Sequence, residues 1–475
     1  MFKKLVCLVF IFACIHTKAW AEAEKTPPDT SASEQLITAV NLAACLKPSI
    51  KISPDSRRAA YVIYLKQTKQ FMVAIDMEKG ETYDGILMYT PIFSPDSRHA
   101  AYAAKLNNKW FAVIDGKEQK QYEVIGTESL VFSPDSRRIA YAAQLGNKWL
   151  VAVDGKEGKK YDAVGSIIFS PDSRRVAYTA RRGNKQFAVI DGKKNKPYDA
   201  VNSFTFSHDS KRIAYAAQLG NKWLVAVDGK EGKKYDAISG LIFSPDSKRT
   251  AYTARKDKKW FAIIGGKEEQ QYEAISDIVS TPDGTSYTVS NIIFSPDSRH
   301  TAYIAHKENK PVVIIDGKFE NQYDNIKAKS LIFSPDSKHL AYTAQSDNKW
   351  CPVIDGKKGK QYEFVGSLVF SPDSNHTAYI AHTGTNPFVV VDEKEGKQYP
   401  SIHSLIFSPD SSRSAYLVNG GIKWFAVVDG KEEKQYDEIS TGSLHFNEDS
   451  KYAVYVAQVH NKLFTVIDGK QDNQK

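Results

Sequence analysis

Cysteine is scarce in this chain of 475 residues: Cys7, Cys14, Cys45 and Cys351 are all it has. The first two fall within residues 1–21, so a mature chain keeps only Cys45 and Cys351, too few and too far apart for a disulfide framework. A Cys45–Cys351 bridge is disfavoured, because Cys351 takes a place held elsewhere by Phe111, Leu150 and Phe261 and reads as a buried apolar site. Long apolar runs are equally scarce. Past residue 21, no stretch is apolar enough to span a bilayer as a helix. Neither sign of charge dominates: Lys and Arg number 64 and Asp and Glu 55, a net charge of +9. That balance permits an anionic partner without requiring one. A G-x-S-x-G elbow, a phosphate-cradling glycine loop and the H-x-H or H-x-x-x-H spacings of metal sites are also missing. No catalytic residue, cofactor site or metal site is therefore assigned.

The N-terminus carries processing signals rather than fold. Lys3 and Lys4, the apolar stretch from Leu5 to Ile15, and Ala19-Trp20-Ala21 read as a secretory signal over residues 1–21. Ile11-Phe12-Ala13-Cys14 also resembles a lipoprotein box with Cys14 as the lipidated residue, although Phe12 fits that pattern poorly and simple cleavage is favoured. An exported, periplasmic or extracellular protein is expected. Residues 22–47 are a Pro- and Ser-bearing leader followed by a segment, 34–46, that forms either a short helix or an added strand.

What the chain does have is repetition. A Ser-x-Asp-Ser turn, with a Tyr five residues after its last Ser, starts at Ser53, Ser94, Ser133, Ser170, Ser207, Ser244, Ser295, Ser334, Ser371 and Ser408, and once more at Asn447. The spacing is 37 to 41 residues except for one of 51, from Ser244 to Ser295. A fixed period in this range marks a repeat architecture. Each unit reads as four short strands. In the fourth, Ser166 to Ser170 is an apolar run ended by Pro171-Asp172-Ser173, where Pro presets the turn and the Asp side chain caps the backbone two residues on. Arg174 to Ala180 and Gln186 to Ile190 follow as strands, and Asp191-Gly192 is a two-residue hairpin signal before the last strand at Tyr198. Such a unit is a propeller blade, which makes the chain all-β with eleven four-stranded antiparallel blades. Two tyrosine columns, one in the second strand and one opening the fourth, hold 21 of the 25 tyrosines and are assigned to blade packing. Residues 138–163 and 212–237 are identical at all 26 positions, so a two-blade unit was copied.

Phe132-Ser-Pro-Asp-Ser-Arg-Arg-Ile-Ala-Tyr141 resembles the WD40-like (PD40) repeat of TolB-type propellers, and the resemblance covers residues 48 to 470. It implies the propeller fold and is nearly silent on activity. The α/β domain preceding the propeller in TolB is missing here, so TolB's partners do not carry over. Ser stands where that family's turn has Gly, which argues for a turn without positive φ at this site.

The 51-residue spacing contains an insert, 277–290, read as an added hairpin or a decayed half-repeat. It divides the array into blades 1–6 (48–276) and 7–11 (291–470). Two propellers of six and five blades are favoured slightly over one large ring. The last repeat lacks a fourth strand, and residues 34–46 are available to supply it.

Two columns carry candidate binding residues. Cations follow the first turn: Arg57, Arg58, Arg98, Arg137, Arg138, Arg174, Arg175, Arg212, Arg249 and Arg299, with His99, His300, His339 and His376 among them. They ring one face and would suit an anionic cell-envelope polymer, or else form an ordinary solvated face. Trp110, Trp149, Trp223, Trp260, Trp350 and Trp424 share one column at the start of the third strand. They form either an aromatic ring for sugar or peptide, or blade packing. The four His sit on different blades and do not converge on a metal. The expectation is a non-enzymatic scaffold with a protein partner. The alternative is a polymer- or carbohydrate-binding propeller or, more remotely, a channel-active lyase or hydrolase. No nucleic-acid partner is expected.

Overall fold

The computed structural model describes residues 33–39, 46, 49–275, 277–280, 286–289, 292–327, 329–460 and 462–468. The signal and leader calls, Cys14 and Cys45 lie outside these residues. Among the described residues, eleven antiparallel blade sheets follow one another along the chain, with one separate two-stranded hairpin between the sixth and seventh. Blades are numbered here by their Ser-x-Asp-Ser turns. In blade 4 the strands Ala163–Phe169, Val176–Arg182, Lys185–Ile190 and Lys193–Lys194 lie side by side in chain order. Asp191 and Gly192 both take positive φ, 51° and 72°, as their hairpin turn requires.

Burial explains the strand composition. The second and third strands of each blade are buried on both faces, because each blade is packed between two others. Both faces of the second strand must therefore be apolar, and alanines such as Ala140, Ala143, Ala177 and Ala214 let the sheets approach closely. Each core belongs to a junction rather than to a blade. Ala140 and Val151 of blade 3 pack with Tyr178 and Val189 of blade 4. At the ten junctions from blade 1 to blade 11 a tyrosine ending one blade meets, nearly edge-on, the second-strand tyrosine of the next, as Tyr122 does with Tyr141 at 6.2 Å and 74°. Cys351, buried and unbridged, lies in the core between blades 7 and 8.

The blades form one ring. Blade 6 packs on blade 7 as any other pair does, with Ala251, Ala262 and Tyr272 against Tyr303, Val312 and Ile314. Blade 11 closes on blade 1 through Val456 and Leu463 against Ala59, Tyr61 and Ala74, and the Thr465 hydroxyl donates to the Ser56 carbonyl. Of the two arrangements open in the sequence, the favoured pair of propellers gives way to the single ring. The physical reason is that a junction is made by side chains on either side of it, whatever the length of chain between them. The insert is a hairpin, Asp277–Ser280 paired with Ser286–Val289. It emerges inside the first strand of blade 7, after Ala274 and before Ile293, and lies along the first strand of blade 6. First strands of neighbouring blades, such as Ala163–Phe169 and Ala200–Phe206, lie against one another, so they surround the central opening. Fourth strands face outward.

Residues 33–39 take the strand option. Ser33–Ala39 pairs antiparallel with Lys462–Ile467, from Ser33 opposite Ile467 to Ala39 opposite Lys462, and supplies the fourth strand of blade 11.

The turn serine departs from expectation. All eleven, from Ser56 to Ser450, have positive φ, between 60° and 68°. The strain is offset in the preceding blade. The Ser173 Oγ accepts a 2.9 Å hydrogen bond from the Asp135 backbone N–H, and the same bond, 2.8–3.0 Å long, recurs at ten junctions from Ser97 to Ser450. Glycine would tolerate the φ but could not accept that proton. Replacing Ser173 with Ala should therefore destabilise by about 1–3 kcal/mol, because a partly buried N–H loses its acceptor and the strain remains. Gly at the same place should cost about 1 kcal/mol less than Ala, because it relieves the backbone. Melting temperatures should rank parent, Gly, Ala; a Gly variant as stable as the parent would show that the hydroxyl contributes nothing.

Candidate interaction surfaces

The turn face is built from one repeated cassette. In blade 4 the Ser170 hydroxyl donates to Asp172 Oδ1 (2.6 Å) and accepts from Arg175 N (2.9 Å). Asp172 also accepts from Arg174 N at 3.1 Å, the backbone cap read from the sequence. The bonds from Ser170 and from Arg174 N hold the Asp172 carboxyl below the usual carboxylate range. The same arrangement takes Asp410 down to about 2.

The two cations after the turn have separate fates. The second one folds across the junction. Arg138 pairs with Asp154 of its own blade (Nε–Oδ2, 2.8 Å), donates Nη1 to the Ser173 and Arg174 carbonyls of the next blade (2.9 Å each), and sits 5.3 Å over Phe169. Arg58, Arg175 and Arg212 repeat this over Phe93, Phe206 and Phe243. Arg249 faces Gly265 where other blades have Asp, but still stacks on Phe294 and reaches the Ser298 carbonyl. Arg413, over Phe446, adds Asp468 to Asp429. These arginines join blades. The first cation of each pair, Arg57, Arg98, Arg137, Arg174 or Arg299, is exposed. Its own turn supplies a carboxylate: Arg299 lies 3.8 Å from Asp297, and Lys338 3.2 Å from Asp336.

Four junctions carry His instead. His99, His300, His339 and His376 each place Nδ1 2.7 Å from the Oδ2 of their own blade's Asp. An imidazole is too short to cross as arginine does. Where it stops, space opens: a cavity of about 250 Å³ at His99 and one of about 670 Å³ at His300.

The tryptophan column lies at the opposite end of the strands. All six, Trp110, Trp149, Trp223, Trp260, Trp350 and Trp424, are half-buried, and each pairs through its backbone with the tyrosine that opens the outer segment, as Trp149 does with Tyr161. Trp110, Trp260, Trp350 and Trp424 pack on junction cores. Trp424 also lies 5.2 Å from the His403 ring, and Arg255 lies 5.8 Å from Trp260. On this face a second stitch runs between blades. Asp199 pairs with Lys185 (2.6 Å) and accepts from Gly220 N of the next blade (2.7 Å).

Outside these columns, large apolar side chains surface where the repeat is broken. Met88 and Tyr89, in the turn between the short strands Gly85–Ile86 and Ile92–Phe93 of blade 2, are 70% and 54% exposed. Among the described residues, no group of three or more His, Cys, Asp or Glu is placed to hold a metal ion. The sequence reading missed the junction role of the second cation. The signal available was the Phe that ends every first strand from Phe93 to Phe446.

No protein-family model matches this chain, and no curated protein matches it. Solved structures similar to it include one described as a crystal structure of the eukaryotic initiation factor, at 12% identity over 79% of this chain and 99% of that one, with a TM-score of 0.39. TolB from Acinetobacter baumannii is similar at 12% identity over 65% of this chain and 80% of that one, with a TM-score of 0.26. The Dos1 propeller is similar at 12% identity over 72% of this chain and 94% of that one, with a TM-score of 0.32. The class of protein is defined by the blades themselves: a β-propeller scaffold of eleven blades.

Proposed function

We propose that this propeller is an exported, non-enzymatic scaffold that binds a protein partner, with its contact at the inner rim of the ring. One observation carries the reading. The repeated columns are occupied in building the ring, and the adjacent apolar pair Met88 and Tyr89 is left exposed in the turn joining Gly85–Ile86 to Ile92–Phe93, the two short strands on the side of blade 2 that faces the central opening. Exposed apolar side chains on a rigid rim are the usual anchors of a protein interface. Export rests on the pattern of residues 1–21, and the non-enzymatic role on the missing catalytic motifs. The carboxylates interleaved on the turn face, which pair with Lys248, Arg299, Lys338 and Lys451, favour a protein over an anionic polymer.

Changing Met88 and Tyr89 together to Asp should lower capture of the partner from an envelope extract by about tenfold, the loss of roughly 1.4 kcal/mol or more expected of an anchor pair. The melting temperature should not move, since both side chains face solvent. Undiminished capture of the same protein by the double variant would refute the rim as the contact.

A further inference from the structure

Six junctions show what occupies the space between turn faces: a guanidinium. It stacks on the Phe of the following blade, 5.1 to 5.5 Å from the ring centre. Its nitrogens donate to backbone carbonyls of that blade, at Ser173 and Arg174 for example. In five of the six it also meets an Asp of its own blade, as Arg138 meets Asp154.

At blades 7 and 8 the host groups are present without the guest. Phe333, the Ser337 and Lys338 turn, and Asp316 line the cavity of about 670 Å³. His300 holds Asp316 Oδ2 at 2.7 Å and does not cross. That oxygen keeps a second lone pair for another donor. At the next two junctions the imidazole leans towards the Phe, with His339 and Phe370, and His376 and Phe407, each 6.5 Å apart. The cavity between blades 2 and 3 repeats the pattern in miniature, with His99, Asp115 and Phe132 in the places of His300, Asp316 and Phe333. Charge separates the two. Around the smaller cavity Asp115 and Asp154 face Arg137 and Arg138. Around the larger, five carboxylates, Asp297, Asp316, Glu320, Asp336 and Asp355, face two fixed cations, Arg299 and Lys338, and the imidazoles of His300 and His339. The size falls in the range of ligand pockets.

We propose that the cavity between blades 7 and 8 is a receptor for an arginine side chain of the protein partner, whose guanidinium takes the place that Arg138 and its counterparts fill from within. This rests on the scaffold reading above. The planar cation stacks on Phe333 and donates to Asp316 and to the turn carbonyls of Ser337 and Lys338. A lysine ammonium lacks both the flat face and the fork, so it fits poorly.

The test titrates the folded full-length chain with N-acetyl-arginine amide and, separately, N-acetyl-lysine amide, followed by calorimetry or NMR. The arginine amide should bind saturably and at least about tenfold more tightly than the lysine amide. His300→Arg supplies the guanidinium internally and should abolish binding without lowering the melting temperature. Phe333→Leu should weaken binding while His300 is unchanged. Equal binding of the two amides, no saturable binding by the parent, or undiminished binding by His300→Arg would each overturn the proposal. The two readings fail separately. A partner protein captured equally by the parent and by His300→Arg removes the pocket and leaves the scaffold. Arginine amide binding with no captured protein leaves the pocket and removes the scaffold.

Discussion

Raising the pH above about 10, the ordinary pKa of a phenol, is expected to unfold this protein in one sharp step. Seventeen tyrosines, in the two columns that meet at the junctions, have phenol pKa values raised chiefly by burial. Tyr252 is pushed up to about 12. Glu231 and Glu268 push the same way on Tyr198 and Tyr235. A group whose folded pKa is raised contributes stability that is whole below its unfolded pKa and is lost as pH climbs towards the folded value. The window therefore opens near pH 10. At pH 11 each phenol that stays neutral when folded favours unfolding by about 1.4 kcal/mol, so about ten of them match the whole stability of a typical domain, roughly 5–15 kcal/mol. Tyrosinate absorbance and circular dichroism should change together over a fraction of a pH unit. A broad, separate titration of the phenols with the dichroism intact would refute this packing. Lysine deprotonation in the same range acts on exposed ion pairs such as Lys120–Glu157 and contributes little.

Removing the closing strand has the next largest expected effect. Without residues 33–39 the strand Lys462–Ile467 becomes an open edge, since no later part of the chain pairs with it among the described residues. Its ladder bonds contribute about 1 kcal/mol each, so a loss of about 3–6 kcal/mol is expected. An open edge also invites another chain. The shortened protein should melt several degrees lower and show association by light scattering. A truncated chain that keeps the parent's melting point and stays monodisperse would mean that the packing of blade 11 on blade 1, with the Thr465–Ser56 bond, closes the ring without the added strand.

The blade was legible in the sequence because its signals are local. Pro171-Asp172-Ser173 and Asp191-Gly192 set turns through their own backbone preferences, and the tyrosine columns mark what must be buried. Features that depend on the neighbouring blade were not legible. Ser173 was read against glycine on steric grounds alone, yet the bond that makes serine suitable is donated by Asp135 a blade away. Arg137 and Arg138 look alike in the chain, but one faces water and the other joins two sheets. The 51-residue interval suggested a boundary because spacing was measured along the chain. The bond from Asp246 to Ser298 forms there regardless.

Eleven is prime, and this has a consequence for stoichiometry. A ring of eleven near-equal sectors contains no two-, three- or four-fold subset, so a partner with internal symmetry cannot register its axis with that of the ring. A partner that reads only the shared columns meets eleven equivalent positions and binds in no fixed orientation. The paired strands Asp277–Ser280 and Ser286–Val289, the second lying against blade 6, and the successive histidine junctions of blades 7, 8 and 9 occur together in one sector. With the exposed Met88 and Tyr89 and the His99 junction of blade 2, they break the uniformity of the ring, so recognition through such features is one to one and directional.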